Sequence, residues 1–159
     1  MLTAVIVLLA GICSTPCAAA DETPQRQVVF VCLHGNVKSL MAASYFNQLA
    51  EQQRLPFRAI SRGSAPDSNT VPKSIAEALH ADGVDVSEFR PAKVAPAEVA
   101  AAEQVITIGT ELPADAHDDQ QRIERWNDVP SARGDYAAAR ISLKEHVADL
   151  IERLRQAGE

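Results

Sequence analysis

Residues 28–39 read VVFVCLHGNVKS. Val28-Val29-Phe30-Val31 is a β-branched and aromatic run of the length of a buried central strand. The strand delivers Cys32 to its C-terminal end. Leu33-His34-Gly35-Asn36-Val37-Lys38 follows as a loop, and from Ser39 to about Gln53 the pattern is helical, with Leu40, Ala43, Phe46, Leu49 and Ala50 on one face. A loop wrapped over a helix N-terminus turns backbone N–H groups toward the positive end of the helix dipole and makes a nest for a tetrahedral oxyanion. Gly35 supplies a residue that tolerates positive φ. Leu33, His34, Gly35, Asn36, Val37, Lys38 and Ser39 are therefore the candidate phosphate-binding residues, with His34 either touching the anion or facing solvent. The same field, with Lys38 beside it, favours the thiolate of Cys32. A thiolate beneath a bound phosphate attacks phosphorus in line, and the nest and Lys38 stabilise charge spread over the equatorial oxygens. Ser39 is placed to donate a hydrogen bond to the sulfur and ease its later departure.

The rest of the chain alternates strands and helices. Arg58-Ala59-Ile60-Ser61 reads as a second strand closed by a loop at Arg62-Gly63-Ser64-Ala65-Pro66. A second helix is expected from about Pro72 to Asp82, with Ile75 and Leu79 inward and Gly83 as its stop. Pro96 to Ala102 reads as a short helix, Gln104 to Ile108 as a third strand and Ile123 to Trp126 as a fourth. The last helix begins near Gly134-Asp135 and puts Leu143, Val147, Leu150, Ile151 and Leu154 on one stripe. This order implies an α/β fold with a parallel sheet of about four strands, and ligands bound beyond the strand C-termini.

Composition narrows the partners. The 159 residues suffice for one domain, expected at 28–157, and apolar residues at 47% with aromatics at 4% suit an aliphatic α/β interior. A net charge of −6 argues against nucleic acid. It also repels anions on average, so an anion site must be built locally. Residues 2–12, LTAVIVLLAGI, form an apolar run too short to span a bilayer, and Ala18-Ala19-Ala20 precede Asp21. A signal peptide over 1–20, cut after Ala20, is expected, with an N-terminal anchor as the alternative; 21–27 reads as a flexible lead-in. The mature protein would be periplasmic or secreted, with no membrane segment. Cys13 and Cys17 leave with the signal, so Cys32 is the one remaining thiol and has no partner for an intramolecular disulfide.

The stretch VFVCLHGNVKSLMAASYF resembles the low-molecular-weight protein tyrosine phosphatases and the related thioredoxin-coupled arsenate reductases, which share a Cys-x5-Arg-Ser signature after the first strand. Ser61-Arg62-Gly63-Ser64 is similar to that family's Ser-Ala-Gly-Thr, Val105–Ile108 to its third strand, and Trp126–Pro130 to the segment holding its acid. The resemblance implies a three-layer sandwich with a four-stranded parallel sheet in the order 2-1-3-4, and phosphomonoester hydrolysis through a phosphocysteine. Catalysis would rest on Cys32, Lys38 and Asp128, with no cofactor and no metal. Three departures stand out. Lys38 occupies the place of the signature Arg, and Lys is a point charge where Arg is a rigid fork. Val37 stands where many members have a second Cys, and no Cys follows residue 32, so an internal disulfide relay for arsenate reduction cannot be built. Asn36 falls one position later than the usual loop Asn.

The family's acid is an Asp directly before Pro. Here Val129 separates Asp128 from Pro130; Asp135 is the other candidate, with helix capping as its alternative role. His117-Asp118-Asp119 suggests a metal only faintly, since no second cluster supports it. His80 and His146 read as surface residues, and Tyr45 and Tyr136 as packing residues. The expected activity is hydrolysis of an aryl phosphate. The alternatives are an oxyanion-binding protein without turnover, and an arsenate reductase that borrows an external thiol.

Overall fold

A computed structural model describes residues 25–116 and 122–158. The proposed signal segment and the His117–Asp119 cluster lie outside the described residues. The strands are β1 (Arg26–Cys32), β2 (Phe57–Gly63), β3 (Gln104–Ile108) and β4 (Ile123–Trp126). The helices are α1 (Lys38–Gln52), α2 (Lys73–Ala81), α3 (Pro96–Ala101) and α4 (Tyr136–Ala157). All strands pair in parallel in the order β2-β1-β3-β4, as the resemblance implies.

The alternation of side chains along β1 builds the layers. Val28, Phe30 and Cys32 face α1 and α4 together with Ile106, Ile108, Phe46 and Leu143. Val29 and Val31 face the other way, onto Val94, Val99, Val105 and Leu112 around α3. Burial on both faces is why this strand reads as an unbroken apolar run. Phe30 stands at the centre, its ring 5.9 Å from that of Phe46 and 5.5 Å from that of Trp126.

Several boundaries differ from those expected. β1 starts at Arg26, two residues inside the predicted lead-in, because the amide of Arg26 donates to the carbonyl of Pro56 and its guanidinium pairs with Glu103 at 2.5 Å. β2 runs on through Arg62-Gly63, which the Gly had marked as loop. Gly63 is held there by Ala92 and Val94, and Arg62 by a bidentate pair with Glu98 at 2.6–3.0 Å. On the outer side of β2, the side-chain amide of Asn47 accepts from Ala59 N–H at 2.8 Å and donates to Ala59 C=O at 3.0 Å.

Tyr45 and Tyr136 do more than pack. Their hydroxyls donate to the carboxylate of Asp82 at 2.8 and 3.1 Å, and Arg140 closes the cluster at 2.6 Å, tying α1, the end of α2 and α4 together. Burial alone would raise the Asp82 carboxyl. The hydrogen bonds from Tyr45, Arg140 and Tyr136 outweigh it and hold the group below the usual carboxylate range. Burial, and then the hydrogen bonds with Tyr136 and Asp82, push the Tyr45 phenol well up. Among the described residues no helix is long and apolar enough to cross a membrane.

Candidate active site

The strand order puts β2 and β3 on opposite sides of β1, so the chain leaves β1 in one direction and returns in the other. The loops after β1 and β3 diverge at that switch point and open a crevice at the strand C-termini. A cavity of about 340 Å³ lies there, walled by Cys32 to His34, Asn36 to Lys38, Ile108 and Gly109, and by Ser131 to Arg133 from the loop after β4. A larger groove of about 500 Å³ between α1, β2 and Gly83–Phe89 is lined by no cysteine.

Cys32 is 5% exposed at the cavity floor, with Sγ 3.0 Å from Ser39 Oγ. Ser39 is fully buried and accepts from the hydroxyl of Ser61 at 2.8 Å, a proton that Ser61 shares with the Gly35 carbonyl at 3.1 Å, and its own proton is then free for the sulfur. The loop turns its carbonyls away from the cavity by bonding them elsewhere. Cys32 C=O accepts from Ser64 N–H, Leu33 C=O from Ala65 N–H, Gly35 C=O from Ser61 Oγ, and Val37 C=O from Met41 N–H. No group among the described residues accepts from the amides of His34 to Val37. The N-terminus of α1 has no side-chain cap and no acid in its first turn, so its dipole and orphan N–H groups are open to an anion.

Gly35 adopts φ +73°, and a Cβ there would sit 2.5 Å from Gly63 N. A Cβ on Gly63 would in turn sit 2.8 Å from the carbonyl carbon of His34. Two backbones touch at this point, and only a pair of glycines permits it. Asn36 is 2% exposed and fastens the loop to Thr70 C=O through Nδ2 at 3.0 Å. The Lys38 ammonium reaches across to Gly109, where an added Cβ would lie 2.8 Å away.

The structure thus gathers Cys32, Leu33, His34, Asn36, Val37 and Lys38 around one cavity, with Gly35 and Ser39 directly behind them. It does not bring Asp128 with them. Val129, directly before Pro130, is turned inward and buried, and Asp128 is turned outward, with its oxygens 3.0 and 3.1 Å from His146 Nε2. Its own backbone N–H and then the His146 bond hold the Asp128 carboxyl below the usual range. His146, expected as an unpartnered surface residue, also stacks on Trp126 at 4.7 Å. Asp135 caps α4, accepting from Ala138 N–H at 2.9 Å. Among the described residues no carboxylate lines the Cys32 cavity, and no cluster of three potential metal ligands occurs.

Three site residues escaped the sequence reading. Arg133 is a second cation on the cavity wall, Asp67 lies 3.0 Å from His34 Nδ1, and Ser61 feeds the Ser39 hydroxyl. Ser61 alone carried a signal, in its match to the family's Ser-Ala-Gly-Thr.

Known proteins share this shape. Among solved structures, YfkJ from Bacillus subtilis superposes with a TM-score of 0.72 at 19% identity, covering 85% of this chain and 98% of its own. The low molecular weight protein tyrosine phosphatase from T. tengcongensis gives 0.68 at 21%, covering 81% and 99%. An arsenate reductase in the phosphate binding state gives 0.67 at 21%, covering 81% and 98%. No curated protein sequence matches significantly. The family model for low molecular weight phosphotyrosine protein phosphatase matches residues 27–156, which spans the described sheet, the Cys32 loop and nearly all of α4. With the 2-1-3-4 sheet and a thiol beneath an open amide nest at its switch point, the chain belongs to the low molecular weight phosphotyrosine protein phosphatase family.

Proposed function

We propose that the protein hydrolyses phosphomonoesters, aryl phosphates foremost, through a phosphocysteine on Cys32. The observation that carries the reading is the Ser39 hydroxyl 3.0 Å from Cys32 Sγ, at the floor of a cavity whose loop amides are unspent. A phosphoryl group seated in the nest would present phosphorus to the thiolate, with Lys38 and Arg133 as the flanking cations. Leu33, 48% exposed at the rim, offers an apolar contact to an aromatic ester. The sulfur attacks, the P–S bond forms and the ester P–O bond breaks. Water then attacks phosphorus, and the sulfur leaves with the Ser39 proton shared toward it.

Lys38, read as the replacement of the signature Arg, supplies one charge without a two-pronged grip. Loss of one oriented donor costs about 3–4 kcal/mol of transition-state stabilisation, so turnover is expected to be at least about 10²-fold below that of a signature-bearing relative. The test is p-nitrophenyl phosphate hydrolysis by the mature domain beside Cys32→Ser, with mass spectrometry of the trapped phosphoenzyme. Equal rates for the two proteins would remove Cys32 as nucleophile.

A second reading is a binder of phosphate or arsenate without turnover, favoured by the absence of a carboxylate on the cavity wall and by the Asp128–His146 pair. Calorimetry that gives micromolar anion binding with no hydrolysis would select it. Arsenate reduction would require an external thiol, since no Cys follows Cys32; loss of arsenate in the presence of glutathione is its test. Export is part of the proposal, and N-terminal sequencing of the mature protein should begin at Asp21.

A further inference from the structure

The proposed hydrolysis leaves one chemical need unmet. The first step expels an oxygen that must take up a proton unless it leaves as a stable anion, and the second needs a base for water. The residue directly before Pro130 is the buried Val129, and Asp128 faces His146, outside the cavity. Of the residues that line the cavity, Cys32 is the nucleophile, and Lys38 and Arg133 are cations that bind charge. His34 is the one remaining side chain there of a type that serves as general acid or base.

His34 is also oriented. The segment after β2 is clamped to the Cys32 loop by Ser64 N–H to Cys32 C=O at 2.9 Å and Ala65 N–H to Leu33 C=O at 2.8 Å. The Gly35–Gly63 backbone contact presses the two together, and Ser64 Oγ is further tied to Thr110 Oγ1 at 2.8 Å. This clamp sets Asp67 Oδ1 3.0 Å from His34 Nδ1. Nδ1 is itself buried, so the exposed third of the side chain belongs to the rest of the ring, where Nε2 lies. The Asp67 carboxylate meets Nδ1 as a close charge contact without hydrogen-bond alignment, and its charge alone favours the tautomer with the hydrogen on Nδ1, which leaves Nε2 as the atom turned to the reaction.

We propose that His34 is the proton donor and then the base of the reaction, with Asp67 as its positioning residue. This rests on the phosphocysteine reading above. In the first step the P–S bond forms, the P–O bond breaks, and the leaving oxygen takes the Nε2 proton of the imidazolium. In the second, neutral Nε2 takes a proton from water as that water's oxygen bonds to phosphorus. The P–S bond breaks, Cys32 returns as thiolate and His34 returns protonated.

The experiment compares p-nitrophenyl phosphate, whose leaving group departs unprotonated, with phenyl phosphate, whose leaving group needs a proton. Wild type, His34→Gln, Asp67→Asn and Asp128→Asn are assayed on both. In His34→Gln the ratio of phenyl phosphate to p-nitrophenyl phosphate kcat/KM, which reads only the steps up to the phosphocysteine, is expected to fall about 10²-fold, the scale of general acid catalysis. In Asp67→Asn it should fall in the same direction by less, and in Asp128→Asn it should not move. An unchanged ratio of kcat/KM in His34→Gln, or a selective loss in Asp128→Asn instead, overturns the assignment while the nucleophile stands. A wild type that hydrolyses neither ester, and traps no phosphocysteine, removes the underlying reading and the assignment with it.

Discussion

Removal of the Ser39 hydroxyl tests the floor of the site most directly. In Ser39→Ala the sulfur of Cys32 loses a donor 3.0 Å away, in a pocket where both side chains are buried. A hydrogen bond to a charged group contributes about 1.5–3 kcal/mol, which corresponds to a roughly 10- to 150-fold change in rate. The loss should fall on the step in which the sulfur leaves phosphorus as thiolate. Stopped-flow release of p-nitrophenol should therefore show a sharper initial burst, followed by slow turnover, with phosphocysteine accumulating on the enzyme. Ser61→Ala supplies the comparison. It removes the neutral contacts of Ser61 with Ser39 and with the Gly35 carbonyl; the one that bears on the sulfur is worth about 0.5–1.5 kcal/mol, so the effect on turnover should be roughly 2- to 12-fold. Equal slowing in the two variants, or full kcat in Ser39→Ala with the phosphoenzyme still forming, would refute the assigned direction of the Ser61 to Ser39 to Cys32 relay.

Other expectations follow from the same geometry. Lys38→Arg should raise kcat/KM on p-nitrophenyl phosphate by about 10-fold or more, because a fork replaces a point charge; a decrease would show that the loop is shaped for the ammonium. Gly35→Ala should destabilise the fold by about 2–4 kcal/mol in urea titration, since it adds a positive-φ penalty to a 2.5 Å clash with Gly63 N, and an unchanged midpoint would contradict the contact. Asp82 is held below its unfolded value, so its contribution to stability is complete above about pH 4 and fades as pH falls through its folded value. Asp82→Asn should therefore flatten the acid limb of a thermal-stability profile measured from pH 6 to pH 2.5, and an unaltered limb would mean that other carboxylates set it.

The sequence carried the fold because the decisive signals were local. An apolar run followed by a thiol, a glycine loop and a helix start specifies β1, the nest and α1 within a dozen residues, and β3 and β4 fell at their predicted bounds. What escaped depends on partners distant in sequence. Arg62-Gly63 reads as a turn until Ala92 and Val94 extend the strand. The direction Asp128 takes, toward His146 18 positions away on α4, follows from the burial of Val129. Asp67 lies in a polar loop with nothing in its neighbours to mark it, and only the clamp between two loops gives it a histidine to face.

The paired bonds between Asn47 and Ala59 carry a consequence for behaviour in concentrated solution. A sheet margin with free peptide groups is a template on which a second chain can crystallise strand by strand. Here a single carboxamide mimics a neighbouring peptide unit at the middle of that margin, and Lys93 bridges to Gly63 near its end. The molecule thus blunts its own stickiness with one side chain. Residue 47 guards colloidal stability from a position with no part in the chemistry.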